Sequence, residues 1–192
     1  MKLVLATNNK HKVKEIKSML GECFSEILTL SEAGLDIDVE ETGKTFAENA
    51  FIKANTVQKL TGMAALADDS GLEVEALGGE PGVYSARYAG EDQNDKNNIK
   101  KLLKNLDGVK NRNASFTTVL CLCYPSGEVV YAEGKTEGTI LDKEEGENGF
   151  GYDPVFFSKD LKKSFGVASE EEKNSVSHRG RALRALLNKT SL

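Results

Sequence analysis

The sequence lacks an excess of positive charge, long hydrophobic runs and a large set of cysteines. The formal net charge of its 192 residues is -5 and its isoelectric point is near 5.3, which argues against a protein that binds long nucleic acid. Any phosphate recognition is therefore expected to be local. The apolar run at residues 3–6 is too short for a signal peptide or a membrane span, so we expect a cytoplasmic protein with no membrane partner.

The few cysteines and the balanced composition are typical of a globular protein. Charged residues make up 29% of the chain and hydrophobic residues 39%, with no low-complexity tract, and the length suits one sizeable domain or a domain with a small lobe. The three cysteines are an odd number. Cys121 and Cys123 alternate in a strand-like run, so both point to one face, and we expect reduced, buried side chains.

The first loop, residues 7–12, lacks the glycines of a Walker A loop or a dinucleotide-binding fingerprint, so neither family is supported. The loop joins a short apolar strand to a helix, and such a junction offers backbone N–H groups and the positive end of a helix dipole. Lys10, His11 and Lys12 add positive charge there. The junction suits phosphate, and a solvated basic helix start is the alternative.

Two adjacent carboxylates follow an apolar run. Residues 64–67 are apolar, and Asp68, Asp69, Ser70 and Gly71 come directly after them. The pattern predicts a buried strand that ends there and turns, which places the acids at its carboxyl end. Open α/β sheets bind ligands at that edge, so the two carboxylates suit a hard cation such as Mg²⁺. A solvated turn is the alternative.

A helix with a lysine on its apolar face is predicted after Glu41. Residues 36–41 alternate as a half-exposed strand, and Thr45 and Glu48 have the spacing of a capping box. The predicted apolar stripe of the helix consists of Phe46, Ala50, Ala54, Val57 and Leu60. Lys53 projects into this stripe, so its ammonium either extends to solvent or contacts an anion.

A glycine-dense loop and a basic helix start lie near the carboxyl terminus. Residues 146–154 include Phe150 and Tyr152; glycine lets a backbone approach a ligand closely, and an exposed aromatic ring can stack on a flat ring. Ordinary loop packing is the alternative. His178 and Arg179 open a predicted helix, and because cations there oppose the helix dipole, an anion or electron-rich ligand is indicated nearby.

The remaining pattern predicts a sheet of mixed strand direction. Residues 72–77 alternate as a separate strand, residues 114–132 form a long hairpin, and residues 135–140 form one further strand. These strands are too long and too consecutive for parallel units alone. We therefore expect an α/β fold with a long, highly twisted mixed sheet and flanking helices.

Taken together, these residues resemble the inosine triphosphate pyrophosphatase family, also called the Ham1-like family. The resemblance covers almost the whole chain, from Thr7 to Leu187. It lies in Thr7-Asn8-Asn9 with Lys12, Glu41-Thr42-Gly43, residues 45–50 with Lys53-Ala54, residues 67–71, residues 85–88, residues 149–154, Lys173 and Ser177-His178-Arg179. It implies an elongated single domain over residues 1–192, with two lobes around a central cleft.

The resemblance also implies an activity. Members hydrolyse purine nucleoside triphosphates such as ITP, dITP and XTP between the α and β phosphates, work as homodimers with Mg²⁺, and remove deaminated purines from the nucleotide pool. Two alternatives stay open. One is a Maf-like pyrophosphatase that acts on modified pyrimidine or methylated nucleotides, and the other is a non-catalytic sensor of purine nucleotides.

The resemblance implies roles for individual residues. Glu41 and Asp69 would bind Mg²⁺, and Asp69 would also activate water; Asp68 remains an alternative base, because a metal-bound carboxylate is a poorer proton acceptor. The implied triphosphate ligands are Thr7, Asn8, Asn9, Lys10, His11, Lys12 and Lys53, and Ser70 would also contact the substrate. The implied residues of the base side are Phe150, Gly151, Tyr152, Asp153, Lys173, His178 and Arg179.

Overall fold

A computed structural model describes residues 1–190 of the chain, and strands and helices alternate along most of it. The strands are β1 (Lys2–Leu5), β2 (Glu26–Leu28), β3 (Ala64–Val74), β4 (Asn113–Cys123), β5 (Val129–Ile140) and β6 (Phe156–Ser158). The helices are α1 (Lys10–Leu20), α2 (Phe46–Thr61), α3 (Asp95–Asn105), α4 (Glu170–Val176) and α5 (His178–Lys189). Three 3₁₀ helices cover Glu75–Leu77, Gly82–Arg87 and Asp153–Val155.

The six strands form one mixed sheet in the order β2-β1-β3-β4-β5-β6. β1 pairs in parallel with both β2 and β3, whereas β5 and β6 pair antiparallel. The expected α/β fold with a mixed sheet and flanking helices is confirmed. Across residues 1–190, the helices are all too short or too polar to span a bilayer.

The chain divides into two compact units. The first unit comprises Met1–Asp69, Thr118–Gly134 and the chain from Gly180, and the second comprises Ser70–Thr117 and Lys135–Arg179. Each unit has a hydrophobic core of its own. In the first unit, Leu3, Leu5, Ile16 and Leu120 pack in one cluster and Val4, Ala50, Ala54 and Val57 in another. The core of the second unit includes Leu72, Phe116, Phe156 and Phe165.

β3 differs most from its prediction, because it does not end at the aspartates. It continues to Val74, so the separate strand expected at residues 72–77 is the end of β3 followed by a 3₁₀ turn. β3 lies between β1 and β4 in the sheet. Asp68 and Asp69 are therefore in the middle of an internal strand, 0% and 4% exposed, and the prediction that they sit at its carboxyl end is wrong.

Three further local predictions, two of strands and one of a buried side chain, are wrong. Residues 36–41 form no strand, and residues 128–140 contain one strand, β5, instead of two. Leu60, which was assigned to the apolar stripe of α2, is 58% exposed, because the last turn of α2 extends past the core that buries Ala50, Ala54 and Val57. An alternating or periodic pattern indicates a strand or a helix, but it does not show whether another element packs against the apolar face of that strand or helix.

Other local predictions are confirmed. The Thr45 hydroxyl accepts from the Glu48 amide and the Glu48 carboxylate accepts from the Thr45 amide, so the capping box starts α2 as expected. Cys121 and Cys123 are buried thiols with their Sγ atoms 3.8 Å apart, on one face of β4. Cys23 is free but only half-buried.

Candidate functional site

Three carboxylates and two lysines of the first unit lie together, and we call Lys12, Glu41, Lys53, Asp68 and Asp69 the acidic cluster. The Lys53 ammonium lies 2.6 Å from Glu41 Oε1 and 3.8 Å from Asp69 Oδ1, and it donates to the backbone carbonyl of Asp68 at 2.7 Å. Lys12 Nζ lies 3.1 Å from Asp68 Oδ2. The two carboxylates expected to share a metal therefore share one buried cation.

The capped starts of two helices determine where Lys12 and Lys53 lie. Asn9 caps α1 by accepting from the backbone amides of His11 and Lys12, so Lys12 lies in the first turn. The capping box starts α2 at Phe46, and Lys53 is two turns further along, 8% exposed. Lys53 neither extends to solvent nor faces bare core, because its ammonium is neutralised by carboxylates of the chain itself.

Burial and neighbouring charge shift the protonation of the cluster. Burial raises the pKa of Asp69 to about 6; Lys53 opposes this rise, and the Glu41 carboxylate adds to it. Burial alone would lower the pKa of Lys53, but the carboxylates of Asp69, Glu41 and Asp68 outweigh it and raise that pKa above its usual value. Lys53 is therefore expected to remain a cation throughout the physiological range.

The raised pKa of Asp69 predicts a pH-dependent stability in the presence of a chelator. The contribution of Asp69 to folding is fully present below its ordinary pKa of 3.8 and is lost as the pH rises through about 6, where the buried carboxyl group ionises. The side chain of the Asp69→Asn variant stays neutral at every pH. The melting temperature of the variant minus that of wild type should therefore increase by a few degrees from about pH 5 to about pH 7.5. A constant difference in melting temperature across that range would contradict this.

The donor set of the acidic cluster fits a hard cation that also needs other ligands. Glu41 and Asp69 offer carboxylate oxygens, which Mg²⁺ prefers, and Mg²⁺ is commonly held by one or two carboxylates together with water and substrate phosphates. Within residues 1–190, no group of three or more His, Cys, Asp or Glu side chains is placed to hold a metal ion. The two carboxylates therefore suit Mg²⁺ that is held jointly with a phosphate ligand.

The first loop is more internally bonded than the sequence indicates. Two amides at the start of α1 already donate to the Asn9 side chain, the Asn9 amide donates to Thr7 Oγ1 at 3.2 Å, and Asn8 Nδ2 donates to the Ile37 carbonyl at 3.0 Å. Asn8, Lys10 and His11 are exposed. The loop is thus stabilised by its own hydrogen bonds, while Lys10 and His11 face solvent.

The second unit brings together residues predicted for the base side, and we call Phe150, Asp153, Lys173 and Arg179 the Phe150 cluster. Asp153 Oδ2 accepts from the Phe150 amide at 2.9 Å and from Lys173 Nζ at 2.7 Å. Lys173 Nζ is 4.7 Å and Arg179 Cζ 5.9 Å from the centroid of the half-buried Phe150 ring. Arg179 Nη2 also donates to Ser70 Oγ at 3.0 Å.

The other base-side residues also make contacts within this unit. The Tyr152 side chain is 5% exposed, and its hydroxyl donates to the Ser85 carbonyl at 2.7 Å, so the half-buried Phe150 is the more exposed of the two aromatic residues. The Gly151 amide donates to Asp95 Oδ2 at 2.8 Å. The His178 ring is stacked on the Phe116 ring with centroids 4.8 Å apart.

Comparisons with known proteins give the family. A family model described as the Ham1 family matches residues 3–189. The chain belongs to the Ham1 family. It is 52% identical to a protein from Clostridium perfringens that is named dITP/XTP pyrophosphatase, over 96% of this chain and 95% of that relative. A Thermus thermophilus protein of the same name is 51% identical, over 97% of this chain and 90% of that relative.

Solved structures of other Ham1 proteins have the same fold. The Staphylococcus aureus Ham1 protein superposes with a TM-score of 0.89 at 43% identity, covering 98% of this chain and 97% of that one. A HAM1 protein from Coxiella burnetii superposes with a TM-score of 0.88 at 39% identity, covering 99% of this chain and all of that one. The family resemblance that we drew from the motifs is therefore confirmed.

Sequence reasoning missed two parts of this Ham1-family chain that support the clusters. It did not predict α4, although Ser169 and Glu172 form a capping box and three glutamates fill the first turn; α4 carries Lys173. It also gave Asn49 no role, although Asn49 is one helical turn before Lys53 and therefore on the same face of α2. Its amide donates to Asp69 Oδ2 at 3.0 Å.

Proposed function

We propose that this protein hydrolyses ITP, dITP and XTP to the nucleoside monophosphate and pyrophosphate. In the proposed reaction, a water oxygen attacks the α phosphorus and the bond from that phosphorus to the oxygen bridging the α and β phosphates breaks. Pyrophosphate leaves with the electron pair of that bond, and the proton of the water passes to a carboxylate of the chain. The product is a deaminated nucleotide that cannot be used directly by a polymerase.

The pairing of Glu41 and Asp69 on one buried ammonium is the observation that carries this proposal. Carboxylates so close together repel a triphosphate unless positive charge intervenes, so their burial beside Lys53 and Lys12 favours a phosphate site that also recruits a cation. The names of the relatives, at about 50% identity over nearly the full chain, support the choice of substrate.

Within the first unit, we assign the chemical step to the acidic cluster. Glu41 and Asp69 would hold Mg²⁺, which when bound supplies positive charge against the phosphate oxygens. Lys12 and Lys53 would neutralise the charge that develops on the leaving pyrophosphate. Asp69 would accept the proton of the attacking water, with Asp68 as the alternative base. The loop residues Thr7, Asn8, Asn9, Lys10 and His11 would bind the triphosphate chain.

Within the second unit, we assign recognition of the purine to the Phe150 cluster. The half-buried Phe150 ring offers a face for stacking, which does not distinguish one base from another. Hydrogen-bond donors from His178, Arg179 or a backbone amide would suit the 6-oxo group of hypoxanthine and xanthine. Adenine presents a donor at that position, and two donors that face each other leave buried groups without partners, which disfavours ATP strongly.

A nucleotide panel tests the proposal. With Mg²⁺ present, ITP, dITP and XTP should release pyrophosphate and not orthophosphate, with kcat/KM on the order of 100-fold or more above that for ATP. A chelator should abolish turnover of all three. The panel should include GTP, UTP, dTTP and a methylated nucleotide, each assayed for both phosphate products.

Each failure of this panel identifies an alternative. A preference for the pyrimidine or methylated nucleotides would replace the proposal with a Maf-like activity. Tight binding of ITP without release of either phosphate product would instead indicate a sensor. Equal turnover of ITP and ATP would keep the pyrophosphatase chemistry and remove the assigned base recognition.

A glycine of the glycine-dense loop at residues 146–154 should contribute to substrate affinity. Gly149 has φ of 77°, and a Cβ on it would collide with the Asp153 carboxylate that holds both the Phe150 amide and Lys173. Asn148 lies before it without a positive φ, so Gly149 and Gly151 make the left-handed turns. We expect Gly149→Ala to raise the KM for ITP about tenfold or more, because Phe150 loses its anchor.

A matched glycine separates this effect from backbone strain. Gly127 has φ of 91° in the turn between β4 and β5, and a Cβ on it would meet no atom within 4 Å. The Gly127→Ala variant should therefore lose stability through its strained backbone while its KM for ITP stays within about threefold of wild type. Equal KM values for the two alanine variants would show that the collision with Asp153 has no bearing on the substrate.

The family resemblance also supports a homodimer that works in the cytoplasm. Sedimentation equilibrium should then give a mass of twice the 20.8 kDa of one chain. A single-chain mass at micromolar concentration would remove this part of the proposal and leave the assigned chemistry unaffected.

A further inference from the structure

Asn49 is a fully buried residue whose side-chain amide contacts both the segment after Glu41 and the Asp69 carboxylate of the first unit. It is 0% exposed on α2. The backbone amide of Gly43 donates to Asn49 Oδ1 at 2.8 Å, and Asn49 Nδ2 donates to Asp69 Oδ2 at 3.0 Å. A backbone N–H can only donate, so the amide oxygen must face Gly43 and the NH₂ group must face Asp69.

Two side chains of the same helix face contact the Asp69 carboxylate. Asn49 holds Oδ2, and Lys53, one turn later on α2, lies 3.8 Å from Oδ1. The contact with Lys53 is longer than a hydrogen bond, whereas the contact with Asn49 has hydrogen-bond geometry. Asn49 therefore restricts the rotation of the Asp69 carboxylate more strongly than the lysine does.

The same amide also holds the segment that carries Glu41. Gly43 is two residues beyond Glu41, and a Cβ on Gly43 would lie 2.7 Å from Asn49 Oδ1 and 2.7 Å from Glu48 Cβ. Only a residue without a side chain lets the backbone come this close. The Glu41-Thr42-Gly43 segment thus reaches β3 through the side chain of Asn49.

We propose that Asn49 is a positioning residue for the pyrophosphatase reaction, which fixes the Asp69 carboxylate and the Glu41 segment relative to each other. This inference rests on the proposed function for its kinetic test and on the contacts alone for its structural test. A displacement of about 1 Å at a reacting group can cost on the order of 100-fold in rate. Loss of Asn49 should therefore act on the chemical step and not on substrate affinity.

The contact itself is tested by exchanging donor and acceptor, without substrate and in a chelator. Asn49→Asp keeps the acceptor for Gly43 but places a carboxylate against Asp69, so at about pH 8 its melting temperature should fall by roughly 5 °C or more. The Asn49→Asp/Asp69→Asn double variant restores the pair with the roles reversed. It should recover more of that loss than the Asp69→Asn change on its own accounts for, whereas a change in melting temperature equal to the sum of the two single-variant changes would overturn the contact.

The kinetic role is tested with Asn49→Leu, which is similar in size and uncharged. Its kcat for ITP should fall on the order of 100-fold while its KM stays within about threefold of wild type. Asn98→Leu is the matched control, because Asn98 is also a buried helical amide that accepts from one backbone amide, Ala89, and donates to one carbonyl, Ala86. Asn98 belongs to neither cluster, so its kcat should stay near wild type.

The outcomes separate this inference from the proposed function. If Asn49→Leu loses no more kcat than Asn98→Leu, or if its loss lies in KM, the positioning role is wrong. If Asn49→Leu does not fold, the same kinetics on Asn49→Asp decide, read against Asn98→Asp. A wild-type protein that releases no pyrophosphate would overturn the proposed function, while the exchange experiment would still report on the contact.

Discussion

Replacing Asp69 by asparagine is expected to lower the kcat for ITP by on the order of 10³-fold or more while the protein stays folded. A positioned general base contributes about 10²- to 10⁴-fold to a rate, and this substitution also removes one of the two carboxylates that would hold Mg²⁺. The fold should tolerate the change, because asparagine has the same shape as aspartate and its side-chain oxygen can still accept from Asn49. Pyrophosphate release at saturating ITP measures the loss, and circular dichroism checks the fold.

The matching variant, Asp68→Asn, decides between the two candidate bases. The Asp68 carboxylate contacts Lys12, whereas Lys53 is held by the backbone carbonyl of Asp68, which the substitution leaves in place. We therefore expect a smaller loss of kcat, about tenfold, from Asp68→Asn. A larger loss from Asp68→Asn than from Asp69→Asn would reassign the base to Asp68. Full activity of Asp69→Asn would reject both of its assigned roles.

Local signals in the sequence were enough to predict several parts of the fold. The capping box at Thr45 and Glu48 fixed the start of α2, and with it the face that carries Lys53. The sequence also predicted a helix after the first loop, residues 7–12, and α1 begins at Lys10, within the last residues of that loop. These features depend on residues within one or two helical turns, so their physical cause is visible in a short stretch of sequence.

The middle of β3 could not be predicted in the same way. Two aspartates, a serine and a glycine in succession are typical of a turn, and burying two carboxylates in an internal strand is costly unless cations compensate them. The compensating charges come from Lys12 on α1 and Lys53 on α2. No local pattern shows that these three segments meet, so the correct strand becomes visible only with the tertiary structure.

The Phe150 cluster likewise shows that a local pattern can predict a kind of site but not the contacts of its side chains. The glycines and aromatic residues of the loop predicted a place where a ligand can approach closely, but they could not show which ring is accessible. Tyr152 is buried and its hydroxyl donates to the Ser85 carbonyl, whereas the Phe150 ring is half-buried near Lys173 and Arg179. The partner of each side chain, and not its type, decides which residue is available for stacking.

Replacing Lys53 by methionine should cause the largest loss of stability among these variants. Lys53 is 8% exposed, and its ammonium contacts the Glu41 carboxylate, the Asp69 carboxylate and the Asp68 carbonyl. Removing one partner of a buried ion pair costs about 3–5 kcal/mol, because the remaining charge stays buried without compensation. For a chain of this length, that corresponds to a fall in melting temperature of roughly 6–20 °C. Calorimetry in a chelator at about pH 8 measures it.

Two controls, a lower pH and a surface lysine, test whether uncompensated buried charge causes the loss of stability in Lys53→Met. The loss from Lys53→Met should shrink at about pH 5, because protonation of Asp69, whose pKa burial raises to about 6, removes one of the uncompensated charges. Lys17 forms an exposed pair with Glu32 at 3.3 Å, so Lys17→Met should leave the melting temperature almost unchanged at both pH values. A Lys53→Met variant that melts within about 2 °C of wild type at both pH values would contradict this prediction. It would mean that Lys53 does not compensate the charges of Glu41 and Asp69, and that the contacts of the acidic cluster are wrong.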